Sequence, residues 1–403
     1  MGNYVDQKME KIISFKRLIS SGIAFFAMLF GSGSIILALA LGKDSGNMVY
    51  WSLVGFIAAT VILPVVGLIS ILLYEGDIDS YFAKLGKIPG NIIIFICMIL
   101  LGPLGVIPRL MGTAYSSIKW HFPSISIFEF SIIVIPLLLL FTFKKNNIID
   151  YIGKFLGPIK ITIILAFIIY GLIFGLNSKI QTNLSPMGAI QKGLIDGYST
   201  LDLIGVLLIA QFIATHLRAQ TNFSLVENDK NFQKDSIKIA TIGGFLLFLV
   251  YTSLCLLASY HSTQLINVDR YDIINSLAYL ILGNNSAIII SAIIIISSLV
   301  TAIALTAVFT NYLQKNIAKL FNFNENKAYI SCLLATILLT SILTNLGFSG
   351  IMNIIIPMAE ICYPAIIILT VCNILHKKIQ FKYIKISVFT TFIITIIYKI
   401  SFA

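Results

Sequence analysis

Charge is what this chain has least of. Only 11% of its 403 residues are Asp, Glu, Lys or Arg, and only 17 of them are acidic. A soluble domain carries charge on about a quarter of its residues, so a water-exposed globule of this size is excluded. Long polar stretches are missing as well. The longest connections, around 218–235 and 261–285, are each under thirty residues, which leaves no room for a soluble domain beside one transmembrane domain over 1–403. Metal-binding and catalytic side chains are equally sparse. The five cysteines (Cys97, Cys255, Cys332, Cys362 and Cys372) sit in apolar runs without metal spacing and read as free buried thiols. The four histidines, His121, His216, His261 and His376, fall near segment ends, where a wet surface position is expected. Glu129, Asp150, Asp269 and Asp272 fall near the interfaces and read as solvated. No nucleophilic triad, phosphate loop or metal cluster can be traced, so neither an enzyme nor a cofactor is expected.

What remains is apolar. Hydrophobic residues make up 58% of the chain, and the mean hydropathy is +0.95. Runs of membrane-spanning length fall at about 19–42, 49–74, 90–118, 124–143, 155–176, 194–217, 236–260, 286–313, 326–345, 350–375 and 383–402. That predicts an all-α integral membrane protein of about eleven helices. The first run is too long for a signal-peptide core and lacks a convincing cleavage site, so it is expected to be retained. The net charge of +11 could suggest nucleic acid, but its placement speaks for membrane orientation instead. Twenty of the 28 Lys and Arg residues fall on one side of the predicted slab and six on the other, with Arg109 and Lys160 left within or near it. The positive-inside bias predicts a cytoplasmic N-terminus and no nucleic-acid partner.

Two of the runs are interrupted at their centres. The first carries Phe30-Gly31-Ser32-Gly33-Ser34, and the sixth carries Asp196-Gly197-Tyr198-Ser199-Thr200-Leu201-Asp202. Glycine costs roughly 1 kcal/mol against alanine inside a helix, and bare backbone in hydrocarbon costs several more. Such breaks survive against other protein or a water-filled cavity. Taken alone, the first stretch is equally open to close packing through small residues. A pair of breaks five helices apart, the second entering from the opposite side, is the pattern of five-plus-five inverted-repeat transporters. The repeats would cover about 17–176 and 190–376, with an extra helix at about 383–402.

At the first break, the N–H groups opening the outer half-helix carry the positive end of its dipole, a cradle for a carboxylate that needs no cationic side chain. Gly31 and Gly33 would let a ligand approach the backbone, while Ser32 and Ser34 add hydroxyls. In the sixth helix, Gly197-Tyr198-Ser199-Thr200 is the expected unwound stretch, its carbonyls facing an ammonium. Asp202 would hold Thr200 or cap the inner half-helix, with direct ammonium contact the less favoured option. The third helix contains Pro103 and Pro108, so a deformed turn is expected there. Arg109 follows at once, and a gating role and a structural role capping freed carbonyls are open alike. Glu360 lies between Pro357 and Pro364, suited either to proton relay or to a structural hydrogen bond. With nothing charged near either break, the side-chain pocket should be apolar; Phe26, Phe30 and Leu104 are candidate walls.

The blocks Phe30-Gly31-Ser32-Gly33, Gly102-Pro103-Leu104-x-x-Ile107-Pro108-Arg109 and Gly197-Tyr198-x-Thr200-x-Asp202 come in that order. With Thr301-Ala302-Ile303-x-Leu305-Thr306 and Tyr363-Pro364, they resemble the bacterial branched-chain amino acid:cation symporter family (LIVCS, the BrnQ-type carriers) along nearly the whole chain. The resemblance implies the LeuT-like architecture of the amino acid–polyamine–cation superfamily, a bacterial inner-membrane location, and uptake of Leu, Ile and Val, with Met in reach, by alternating access. Its partner ions would be Na⁺ or H⁺.

The chain departs from that family's pattern in places that matter. Where the family's first helix has an asparagine and a proline, this chain has Ser34 and Ala38. The family's Thr-Thr pair in helix eight becomes Val300-Thr301, which removes one oxygen from the superfamily's sodium site between helices one and eight. The fifth helix gains Lys160 where the family has an apolar residue. In related Na⁺-independent carriers, a helix-five lysine puts its ammonium in the place of the sodium ion. Lys160 gained and a hydroxyl lost at Val300 form a coherent pair, with snorkelling of Lys160 as the alternative. The expected protein is a Na⁺-independent carrier, with proton coupling open. A Na⁺-coupled symporter is the rival, and a channel or other membrane protein without carrier activity is the more distant one.

Overall fold

The computed structural model describes residues 15–143, 155, 157–174, 178–221, 230–270, 272–283, 287–321 and 324–401, and all regular structure among them is helical. Asp150 lies outside the described residues, and so does the side chain of His216. In hydrocarbon every backbone N–H needs an acceptor within its own segment, so each apolar run folds as a helix. Span 1 is α1 (Phe15–Leu29) and α2 (Ser32–Ser45); span 2 is α3 (Val49–Ile57) and α4 (Leu63–Leu72). After the short α5 (Ile78–Phe82), span 3 is α6 (Lys87–Leu101) and α7 (Val106–His121). Spans 4 and 5 are α8 (Ile127–Phe143) and α9 (Gly157–Phe174). Span 6 is α10 (Pro186–Tyr198) and α11 (Asp202–Thr221), and span 7 is α12 (Lys230–Tyr260). Beyond α13 (Ile273–Leu282) come spans 8 to 11: α14 (Ala287–Phe321), α15 (Glu325–Thr344), α16 (Gly347–Ile379) and α17 (Ile384–Ser401).

Among the described residues, nine helical stretches are individually long and apolar enough to cross a membrane. One of them, Ser32–Leu72, is 41 residues long, about 60 Å of helix and twice the hydrocarbon thickness. It turns at Gly46, whose φ of +46° suits glycine, and so holds parts of two spans. Ile127–Phe143, at 17 residues, is a short apolar helix that supplies the remaining span. The eleven segments of the sequence reading are thereby accounted for.

The packing reveals the internal symmetry that sequence alone could not align. Span 1 packs on span 7, and span 6 packs on span 2. Span 1 touches span 5 as span 6 touches span 10; spans 5 and 7 meet as do spans 10 and 2. Span 8 lies on span 4, and span 3 lies on span 9. Exchanging each span for the one five places away in the other repeat turns one contact into the other, as an inverted five-plus-five repeat requires. Span 11 has no such equivalent and is peripheral, with only Ile384 and Val388 of α17 buried. The core sits on span 1, where Phe25, Phe26, Ala27, Met28 and Phe30 are wholly buried.

Span 3 and two of the histidines depart from expectation. Span 3 is a full break, with Gly102–Gly105 lying between two helices, and span 8 has no counterpart to it. His261 is buried, 2% exposed, its Nδ1 2.9 Å from Leu257 O, whereas a wet position was expected. His376 is half-buried between Lys84 Nζ and the Phe381 carbonyl. At the first residues of span 4, Ser126 and Glu129 form a reciprocal cap: the Ser126 N–H and hydroxyl donate to Glu129 Oε2, and the Glu129 N–H donates to Ser126 Oγ.

Candidate functional site

The break in span 1 is two residues long, Phe30 and Gly31, with Gly31 extended at φ −93°, ψ 174°. Below it, the last carbonyls of α1 have lost their helical donors and form the negative end of that half-helix. Lys160 of span 5, 1% exposed, reaches them: its Nζ donates to Ala27 O at 3.2 Å and to Phe30 O. The ammonium also stands 5.3 Å from the Phe30 ring centroid and 5.9 Å from that of Phe26, within cation–π range. Span 8 adds two hydroxyls to the same carbonyls, Thr301 Oγ1 to Ala27 O at 3.3 Å and Ser297 Oγ to Phe30 O at 3.3 Å. Val300 is buried one residue away and offers no oxygen. Ser297, four residues before Thr301 and so on the same helix face, supplies the second hydroxyl.

Above the break, Ser34 and Ile35 make the first backbone bonds of α2, both to Gly31 O. The N–H groups of Ser32 and Gly33 lie ahead of these and have no backbone acceptor among the described residues. The Ser32 hydroxyl is taken by Ser298 Oγ at 2.7 Å. Opposite, span 6 breaks at Ser199–Leu201, two residues later than expected. Gly197 and Tyr198 remain helical because Gly197 serves a close helix contact, where an added Cβ would lie 2.5 Å from Ala59 Cβ. The break is held by Thr200 Oγ1 donating to Gly197 O at 2.8 Å and by Leu201 at φ +62°. Asp202 opens α11; its N–H donates to Thr200 Oγ1 at 3.4 Å, and its Oδ2 accepts from Tyr251 OH of span 7 at 2.6 Å. Tyr363 of span 10 accepts the Leu203 N–H at 2.9 Å and lies against the Tyr198 ring.

Between the two breaks is a narrow cavity of about 20 Å³, room for a single water-sized sphere. Gly31, Gly33, Ser34, Arg109, Thr200, Asp202 and Thr301 line it together with Met28, Leu29, Leu101, Val106, Leu110, Ile209 and Leu305, among others. The sequence reading missed these apolar walls, which carry no signal beyond hydropathy. Phe30, Ser32, Gly197, Tyr198 and Ser199 stand beside the cavity without lining it, as do Lys160 and Val300. Phe26 stacks on Phe30 beside the Lys160 ammonium, and Leu104 is 38% exposed, so neither is a wall. Pro103 lies in the span 3 break and Pro108 in the first turn of α7, where its missing N–H costs nothing. Arg109 is 2% exposed; its Nη1 donates to Ser199 O at 3.2 Å and meets Met352 Sδ at 3.4 Å. It thus serves a carbonyl freed in span 6, not one freed by the prolines of its own helix. Glu360 of span 10 does not line the cavity and pairs with Lys399 of span 11.

On the lysine-rich side, a wider vestibule of about 420 Å³ is lined by Asp77, Lys87, Gln211, Asn311 and Lys315, with Met98 and Val308 at its walls. Met98 lies one turn from Leu101, and Val308 one turn from Leu305, so only a thin apolar layer separates the two spaces.

A family model described as branched-chain amino acid transport protein matches residues 14–403. A protein of Staphylococcus aureus (strain USA300) named for a branched-chain amino acid carrier is 27% identical over 403 residues, covering 94% of this chain and 87% of that protein. The branched-chain amino acid permease BraB of Bacillus subtilis (strain 168) is 25% identical over 384 residues, covering 92% and 82%. Among solved structures, Mhp1, a nucleobase-cation-symport-1 family transporter in a closed conformation with bromovinylhydantoin bound, aligns with a TM-score of 0.61 at 13% identity over 89% of this chain and 78% of its own. MhsT in complex with L-phenylalanine aligns with a TM-score of 0.58 at 15% identity, covering 97% and 99%. These likenesses establish the LeuT-like fold.

Proposed function

The chain belongs to the branched-chain amino acid transport protein family, and from that premise we propose that it imports Leu, Ile and Val, with Met in reach, by alternating access and without need of Na⁺. The observation that carries the ion-independence is Lys160 Nζ on Ala27 O and Phe30 O. A hard cation such as Na⁺ would need about five or six oxygens here, whereas an ammonium brings the same charge on its own covalent tether. Held this way, Lys160 ties spans 1, 5 and 8 together. The chain would lie in the bacterial cytoplasmic membrane, N-terminus inside, with Lys and Arg crowding the cytoplasmic face. Its repeats are taken as about 17–176 and 190–376 within one transport domain. The thin layer between the central cavity and the vestibule supports release toward the lysine-rich side.

Labelled leucine uptake into proteoliposomes tests this, with Na⁺ replaced by choline and with and without an inward proton gradient. Saturable, leucine-competed uptake that persists in choline is expected; strict Na⁺ dependence of the wild type would sink the proposal. Stimulation by the proton gradient would identify H⁺ as the coupling ion. One observation favours a second reading, a Na⁺-coupled symporter. The Ala27 and Phe30 carbonyls with the Ser297 and Thr301 hydroxyls make four converging oxygens that Lys160 would have to vacate for an ion. Lys160→Ala separates the two: under the Na⁺-independent reading uptake collapses or acquires Na⁺ stimulation, whereas a true symporter retains its Na⁺ dependence.

A further inference from the structure

We propose that Arg109 of span 3 is the carboxylate receptor of the central site, acting together with the first N–H groups of α2. The inference rests on the reading of the chain as an amino acid carrier and specifies which end of the substrate the cavity holds, and how. Arg109 is 2% exposed, and its Nε has no partner among the described residues. A buried guanidinium with an idle donor is costly unless an acceptor arrives. The side chain lies against Gly33. A Cβ added there would sit 2.8 Å from Arg109 Nε and 3.0 Å from Nη2, so a side chain at this position would push the guanidinium off its present place. That same glycine is in the first turn of the 14-residue α2, where the Ser32 and Gly33 N–H groups have no backbone acceptor among the described residues. Two independent sources of positive potential, the end of a helix and a planar cation, therefore converge on one wall of the cavity.

The charges around the cavity point the same way. Two buried cations, Arg109 and Lys160, stand near the breaks against one buried carboxylate, Asp202, which lines the cavity across from α2 and is held by Tyr251. A carboxylate bound at Arg109 gives that cation its counter-charge, and the ammonium of the same α-amino acid is left facing Asp202 and the Thr200 break. The cavity, with room for one water as it stands, has to widen to admit the substrate, and its apolar walls Leu101, Leu110 and Leu305 would then take the side chain. The carrier should therefore demand a free carboxylate, beyond what the backbone cradle of α2 alone would ask.

The test uses purified full-length protein, reading ligand binding by thermal shift and transport by competition with labelled leucine. The ligands are leucine, leucinamide, isoamylamine and isocaproate. In the wild type, leucinamide and isoamylamine are expected to bind at least about 10-fold more weakly than leucine, and isocaproate to retain measurable binding. Arg109→Gln should narrow the gap between leucine and leucinamide to what the α2 N–H groups alone sustain and raise KM for leucine about 10- to 100-fold with a smaller change in kcat, while Arg109→Lys recovers part of both. Leucinamide competing as well as leucine in the wild type overturns the proposal without any mutant having to fold. So does an unchanged gap in Arg109→Gln. The same comparison is run on every neutral amino acid and its amide. If another amino acid binds in place of the branched-chain ones, the branched-chain reading falls and its own acid–amide gap decides on Arg109. If no neutral amino acid binds, both fall.

Discussion

Tyr251 shows how much a single hydroxyl can carry inside a membrane protein. It is wholly buried, it donates to Asp202 Oδ2 at 2.6 Å, and its ring packs edge-on against Phe30 and Phe56. Span 7 is thereby connected to both breaks. Removing the hydroxyl leaves a buried carboxylate one donor short, a loss of about 1.5–3 kcal/mol for a bond to a charged group. Tyr251→Phe is expected to lower the thermal unfolding midpoint in detergent and slow leucine uptake. A double-mutant cycle with Asp202→Asn should show the two losses failing to add; strict additivity would mean the hydroxyl does not act through Asp202. Such residues differ in how legible they are from sequence. Lys160 and Arg109 stand out because a cation in an apolar run demands a reason. Tyr251 and Ser297 do not, because a hydroxyl in a membrane helix ordinarily turns back to its own backbone, as Thr336, Thr340 and Thr344 do here. Only tertiary packing reveals which hydroxyls have turned outward.

At the level of elements, the two helix pairs related by the repeat use the same device. Gly42 of α2 packs against the backbone of Cys255 in span 7, and Gly193 of α10 against the backbone of Ser52 in α3. An added Cβ would lie 2.1 Å from Cys255 O in the first case and 2.0 Å from Ser52 O in the second. Lipid tails are as apolar as leucine, so membrane helices gain little from burial and depend on such close approach. Backbone on the far side cannot rotate away as a side chain could. Gly42→Ala and Gly193→Ala are each expected to destabilise by about 1–3 kcal/mol, the usual cost of overpacking, read as a lowered unfolding midpoint. Gly188→Ala is the control, its nearest neighbour being Ser185 Oγ at 3.1 Å in a capping turn, and it should be nearly silent. Either interface glycine tolerating alanine without loss would refute the contact. Glycines show in a sequence, but their tasks do not. The glycines at 31 and 33 mark a break, whereas Gly197 looks like part of one and instead packs a helix. That ambiguity is why the span 6 break was expected two residues early, while the number and order of the spans followed from hydropathy, and their pairing emerged only from the packing.

For the whole molecule, what matters is which side of the central cavity is shut. Toward the lysine-rich face only a thin apolar layer, which includes Leu101, Ile209 and Leu305, stands before the vestibule. Toward the opposite face, Ile36 of α2 and Met352 of α16 are buried against each other, with Ile356 packed on them, directly beyond Arg109. This small apolar plug joins span 1 to span 10 and is separate from the main core, so it can part without unpacking the bundle. In an alternating-access cycle this contact is expected to hold in one state and part in the other, which would make it a lever on their populations. Met352→Ala removes about 2 kcal/mol of side-chain burial, enough to move a two-state equilibrium roughly 30-fold if the whole loss falls on the closed plug. The readout is Asn311→Cys in the vestibule, introduced after replacing the five native cysteines, with a membrane-impermeant thiol reagent applied from the lysine-rich side. With Met352 present the introduced thiol should react readily; with Met352→Ala its labelling should slow while leucine exchange continues. Unchanged labelling would show that the plug contributes equally to both states and is packing rather than a gate.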